Sequence, residues 1–151
     1  MTKLMQPAAY NERVLPSIGF YVAGLFLPVA LFLVALPFSD LLAVSVALGS
    51  YTCLLVVSSL LSPKIVLTSS KLQVSRATIA VSFLGSATSI PRTDQFVARG
   101  RALSPLVYTK FQVGVKGLVR IELNDEKDQT PYWLVSTRHP EVLVRHLNAT
   151  R

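Results

Sequence analysis

The chain has one cysteine, one tryptophan and two histidines in 151 residues. A lone thiol, Cys53, excludes an intrachain disulfide and any zinc site built on several cysteines. His139 and His146 lie about two helical turns apart, too far to be taken as joint ligands. No glycine-rich phosphate loop and no Ser or Cys nucleophile motif is present. Acids are scarce, 8 Asp and Glu against 15 Lys and Arg. The cluster Asp125, Glu126 and Asp128 lacks the spacing and the glycine of a calcium-binding loop, and reads as a solvated turn. The basic excess comes without a nucleic-acid recognition motif or an aromatic platform, so no nucleic acid is expected. Together these gaps predict a chain that is not an enzyme and binds no cofactor or metal.

Charge is also missing from two long stretches. None occurs from Val14 to Ser39 or from Leu41 to Pro63, and only Asp40 stands between them. Crossing about 30 Å of hydrocarbon takes roughly 20 apolar residues at about 1.5 Å each, and both runs suffice. The pattern predicts a transmembrane hairpin with spans at about residues 17–37 and 41–62. The first run exceeds a signal h-region, and Leu36-Pro37-Phe38-Ser39 is a poor cleavage site, so both spans are expected to stay. Lys3 and Arg13 precede the hairpin, Lys64, Lys71 and Arg76 follow it, and the connecting turn has no positive charge. Basic flanks predict both termini in the cytoplasm. Neither span holds an ionisable side chain of the kind that marks a transport path. Pro28 should kink the first span. Ser45, Gly49 and Cys53 recur every four residues in the second, a spacing that suits close helix packing, against the first span or against another subunit.

All of the excess charge lies after the second span. Residues 64–151 are enough for one small domain with its own core. Period-two alternation predicts strands at Ile65–Leu67, Leu72–Val74, Ile79–Phe83, Ala87–Ile90, Val107–Val113, Leu118–Leu123 and Tyr132–Ser136. Residues 92–105 read as a loop or short helix. Thr137 or His139, followed by Pro140 and Glu141, opens a final helix whose apolar seam is Leu143 and Leu147. The expected fold class is a membrane α-hairpin (residues 1–63 with the N-terminal segment) plus a small β-rich α+β cytoplasmic domain (64–151). A pleckstrin-homology-like barrel with a C-terminal helix fits the pattern, and a two-layer α+β domain would read similarly.

The stretch Asp128-Gln129-Thr130-Pro131-Tyr132-Trp133-Leu134-Val135-Ser136-Thr137-Arg138-His139-Pro140-Glu141 resembles the C-terminal signature of an uncharacterised actinobacterial membrane family, domain-of-unknown-function family 3093. Tyr10-Asn11-Glu12-Arg13-Val14-Leu15-Pro16 is similar to that family's opening Tyr-x-Glu-Arg motif. The resemblance covers nearly the whole chain and implies an actinobacterial plasma-membrane protein. It implies no activity.

The residues singled out for contact with a partner or lipid are Arg76, Arg92, Arg99, Arg101, Trp133 and Arg138. Arg92, Arg99 and Arg101 crowd one loop, and each cation near an anionic leaflet contributes about 1 kcal/mol. Tyr132 and Trp133 point to opposite faces of one strand, which predicts one in the core and one partly exposed. A Trp exposed beside Arg138 would mark a binding surface. The expected function is docking of a partner protein or of anionic head groups at the inner leaflet. The competing expectation is a structural accessory subunit held in a larger membrane complex by its helices.

Overall fold

A computed structural model of the chain describes residues 9–125 and 128–150. Lys3 of the basic flank and Glu126 of the acidic turn lie outside the described residues. The chain divides into two compact units: Leu15–Ser62, and a second built from the residues up to Val14 together with those from Pro63 onward.

The first unit is helical: α1 (Ile18–Gly24), α2 (Phe26–Ala35) and α3 (Asp40–Leu61). The break between α1 and α2 falls at Leu25. Pro28 has no N–H for the Gly24 carbonyl and its ring crowds that oxygen, so the helix cannot run through regularly. The Leu25 N–H bonds the Val22 carbonyl instead, at 3.2 Å. Taken together, Ile18–Ala35 and Asp40–Leu61 are long and apolar enough to cross a membrane. Their polar side chains are satisfied locally: the hydroxyls of Ser45, Ser50 and Ser58 donate to the carbonyls of Leu41, Ala47 and Leu55 at 2.7, 2.9 and 3.0 Å. In hydrocarbon such groups have no water to turn to. The helices meet through small residues. Ala35 and Ala43 are buried, and a methyl group on Gly24 would come within 2.6 Å of the Leu54 side chain.

The second unit holds eight strands among the described residues. One sheet has the order β1 (Tyr10–Arg13), β2 (Lys64–Leu67), β3 (Lys71–Val74), β4 (Ala77–Ala80), antiparallel throughout. Strand β1 was not foreseen. The sequence reading placed residues 1–63 with the hairpin, yet Glu12 pairs with Ile65 and Arg13 with Lys64, and the Val14 N–H donates to the Pro63 carbonyl at 2.9 Å. The expected strand Ile79–Phe83 stops at Ala80 and gives way to a 3-10 turn at Val81–Phe83, although its residues alternate. Ser75, in the tight β3–β4 turn, takes φ of 57°, a left-handed conformation costly for a residue with a Cβ.

The other sheet has the order β5 (Leu84–Ser89), β7 (Gly117–Leu123), β8 (Tyr132–Thr137), β6 (Tyr108–Lys110). Strand β6 runs parallel to β8, which local pattern cannot reveal; the other pairs are antiparallel. Neither sheet closes on itself. Helix α4 (Gln95–Arg99) lies in the 92–105 stretch, and α5 (Pro140–Ala149) ends the fold. Alternating residues of both sheets, among them Ile65, Leu72, Val119, Ile121 and Val135, share one core with Leu143 and Leu147 of α5. Leu118, Tyr132 and Leu134 form a second, smaller core on the other face of β7 and β8, roofed by Ile90, Ala98, Leu103 and Val107. With a core on each face, every residue of β8 is buried.

Gly117 is required by close approach: an added methyl group would collide with the Thr137 backbone carbonyl. Gly117→Ala is expected to cost about 1–3 kcal/mol. Urea unfolding followed by Trp133 fluorescence reads this as a lower midpoint; an unchanged midpoint contradicts it.

Candidate functional site

The two ends of the chain that carry the motifs meet at one carboxylate. On β1, Glu12 Oε2 accepts from the Tyr10 hydroxyl at 2.6 Å and from the Thr137 hydroxyl at the end of β8. Glu12 Oε1 accepts the Arg138 backbone N–H at 2.8 Å. Thr137 Oγ1 in turn accepts the His139 N–H at 3.1 Å, which positions the start of α5 without a side-chain cap from His139. The Tyr10 ring lies 5.8 Å from that of His146. Burial, reinforced by the hydrogen bond to Glu12, pushes the Tyr10 phenol up from 10.0 to about 12. A carboxylate accepting from three donors on β1 and at the end of β8 fastens the two together. Neither motif by itself points to the other, because Glu12 occupies an inward position of a strand, where alternation looks for an apolar residue.

The basic residues gather on residues 91–116. This segment has five Arg and Lys and one acid, Asp94. Arg92 and Arg101 are exposed. Arg99 is folded back, with its guanidinium 5.4 Å from the centre of the Phe111 ring and Nη2 donating to the Val115 carbonyl at 3.4 Å. Gln95 Nε2 donates to the carbonyls of Ile90 and Lys116 at 3.1 and 2.7 Å. The segment is thus pinned along its length. At its C-terminal side the Tyr108 hydroxyl donates to the Val74 carbonyl at 3.1 Å. Val74 pairs with Ile65, two residues beyond Pro63, so this side lies at the end of the domain where the chain leaves for the helices. Exposed Arg76, in the β3–β4 turn, is at the same end. Arg138, exposed beyond β8, contributes its backbone to the Glu12 cluster.

Trp133 is only 5% exposed and packs 5.0 Å from the Tyr108 ring in the main core. Tyr132 is buried as well, with Arg120 4.0 Å above its ring. The expectation that one of the two is exposed fails because the 90–107 segment covers the second face of the sheet. Ser45, Gly49 and Cys53 are exposed, and nothing lies within 4 Å of a methyl group built on Gly49. They face away from the other helices, whose contacts fall on Ala43, Leu54 and Ser58, so packing against the first span is not their role.

Among the described residues no three His, Cys, Asp or Glu side chains gather to hold a metal ion. A groove of about 580 Å³ beside Ser69, Ser82, Asn124 and Thr150, and an apolar one of about 290 Å³ beside Pro28, Phe32 and Tyr51, contain no Arg or Lys in their walls. These two grooves are therefore not where the cations gather.

The chain belongs to the family of proteins of unknown function DUF3093, whose profile matches residues 9–147. No curated protein and no solved structure matches it. The match takes in Glu12 and Thr137, the two sides of the fastening. Because the fold holds Tyr10 neutral, the stability this gives is complete below the phenol's ordinary value of 10.0 and is lost as pH climbs through about 12. Alkaline unfolding of Tyr10→Phe should be shallower over that range. Glu12→Ala, which strips the acceptor from three donors, should cost about 2–4 kcal/mol at neutral pH. An unchanged urea midpoint would show the fastening to be idle.

Proposed function

We propose that this chain is a two-span plasma-membrane protein whose β-rich domain lies on the cytoplasmic leaflet and binds anionic lipid head groups. The observation that carries the reading is the placement of the basic segment 91–116, tied through Tyr108 to the end of the domain from which the chain departs. If residues 18–35 and 40–61 span a bilayer, Val14 and Pro63 must lie at its surface. Arg13, Lys64 and Arg76 share that end, and basic flanks favour the cytoplasmic side. The exposure of Arg76, Arg92 and Arg101 supports recognition by charge density.

The remaining parts of the reading follow the same lines. It is non-enzymatic, and the use of the Glu12 carboxylate to tie β1 to the end of β8 supports that. Two sheets sharing a core with a C-terminal helix support a pleckstrin-homology-like arrangement, here with its first strand contributed from ahead of the hairpin. The resemblance of the two motifs supports an actinobacterial origin.

A second reading, an accessory subunit of a larger membrane complex, is favoured by one observation: Ser45, Gly49 and Cys53 present a small-residue face outward on α3. A methyl group at position 49 meets nothing within 4 Å, so loss of a co-purifying membrane protein in Gly49→Leu would support it, and unchanged co-purification would remove it.

The lipid reading is tested with full-length protein in nanodiscs of neutral lipid or of neutral lipid with phosphatidylglycerol. Amide exchange over residues 91–107 should slow with the anionic lipid. At about 1 kcal/mol per cation, Arg92→Gln with Arg101→Gln should cut that added protection by up to about 30-fold at low salt. Equal exchange in both discs would refute the reading.

A further inference from the structure

We infer that Phe96 and Val97 enter the bilayer at the boundary of head groups and acyl chains, making α4 an apolar wedge set in a basic rim; this rests on the lipid reading above. The helix is held from its inner side. Ala98 packs against the core of Leu118, Tyr132 and Leu134, and Gln95 bonds two carbonyls. Its outer side is left with Phe96, 85% exposed, and Val97, 49% exposed. The bonds from Gln95 to Lys116 and from Arg99 to Val115 bring residues 111–116 alongside, where Val113 is 62% exposed. Leu106, in the same segment, is 55% exposed.

These side chains are not exposed for want of a core. The domain buries Leu118, Leu134 and the interior of two sheets completely, and the segment's backbone is pinned by side-chain bonds. A rigid, outward Phe with aliphatic neighbours is the kind of patch that marks a binding surface. Its rim decides the partner. The same segment, residues 91–116, carries Arg92, Arg99, Arg101, Lys110 and Lys116 against the single acid Asp94, a balance that complements an anionic surface. Apolar side chains amid basic ones are the composition of elements that lie in a membrane interface, buried about 5–10 Å. The Tyr108–Val74 bond ties this segment to the end of the domain that carries Val14 and Pro63.

The experiment uses full-length Phe96→Trp in nanodiscs whose phosphatidylcholine is brominated in the acyl chains, with and without phosphatidylglycerol. The wild-type protein supplies the background from buried Trp133. Phe83→Trp is the control, since Phe83 follows β4 at the end of the first sheet away from Val74 and Ala77. With anionic lipid present, emission of the indole introduced at position 96 should fall by about half, and that at position 83 should stay constant. Equal quenching in neutral and anionic discs would keep the wedge and overturn the lipid-charge reading. No quenching, with amide exchange over residues 91–107 still responsive to phosphatidylglycerol, would overturn the wedge and leave the charge reading standing. No quenching and no such response would overturn both, and a blue shift on adding a co-purified soluble protein would assign the patch to that protein.

Discussion

The domain depends on a pairing that spans the helical insertion. Strand β1 is complete before the first apolar run and its partner β2 begins only after the second, so Arg13 and Lys64 become neighbours across 50 intervening residues. In an unstructured loop that closure would carry an entropic cost that grows with the logarithm of its length. Antiparallel helices return the chain to the side from which it left, and the cost shrinks to that of forming the hairpin. Once Val14 and Pro63 are hydrogen-bonded, β1 supplies Glu12, and Glu12 ties the first sheet to the end of β8 and the start of α5. Edge strand, fastening and final helix therefore stand or fall together.

This constraint gives the family match a physical sense. A profile running from residue 9 to residue 147 covers both sides of the Glu12 fastening, Glu12 and Thr137 being 125 positions apart. A short Tyr-x-Glu-Arg stretch ahead of an apolar run looks like a juxtamembrane flank when taken alone. Its meaning lies in the carboxylate it delivers to a distant strand end.

Much of the fold was legible because period-two alternation survives wherever one face is buried: β2, β3 and β7 carry it plainly, as does the Leu143–Leu147 seam of α5. The failures share a cause, which is contact from outside the segment. Strand β1 escaped because its inward positions are Tyr10 and Glu12, whose partners lie at the far end of the chain. The run through Phe83 alternates as β4 does, but a 3-10 turn intervenes before β5 begins. Trp133 and Tyr132 are both buried because residues 90–107 cover the sheet, and nothing within the strand announces that cover. The basic cluster was legible as charge. Its apolar tip was not, since the exposure of Phe96 depends on how α4 sits against the second core. The orientation of Ser45, Gly49 and Cys53 depends on which face of α3 meets the other helices, and Ala43 and Ser58 settle that against them.

A strand edge fixed by the departing chain, a basic segment hydrogen-bonded to the same end of that sheet and an outward Phe make up one arrangement, and its meaning turns on where the segment lies relative to a bilayer. The most direct measurement is a spin-label depth profile of the full chain in nanodiscs containing phosphatidylglycerol, with Cys53→Ser as background and labels placed singly at Val97, Arg101 and Ser69. The account predicts that the label at position 97 is relaxed by oxygen dissolved in the lipid, that the label at 101 sits at the head groups, and that the label at 69 sees only the aqueous nickel chelate. Three labels relaxed equally by the aqueous reagent would contradict it.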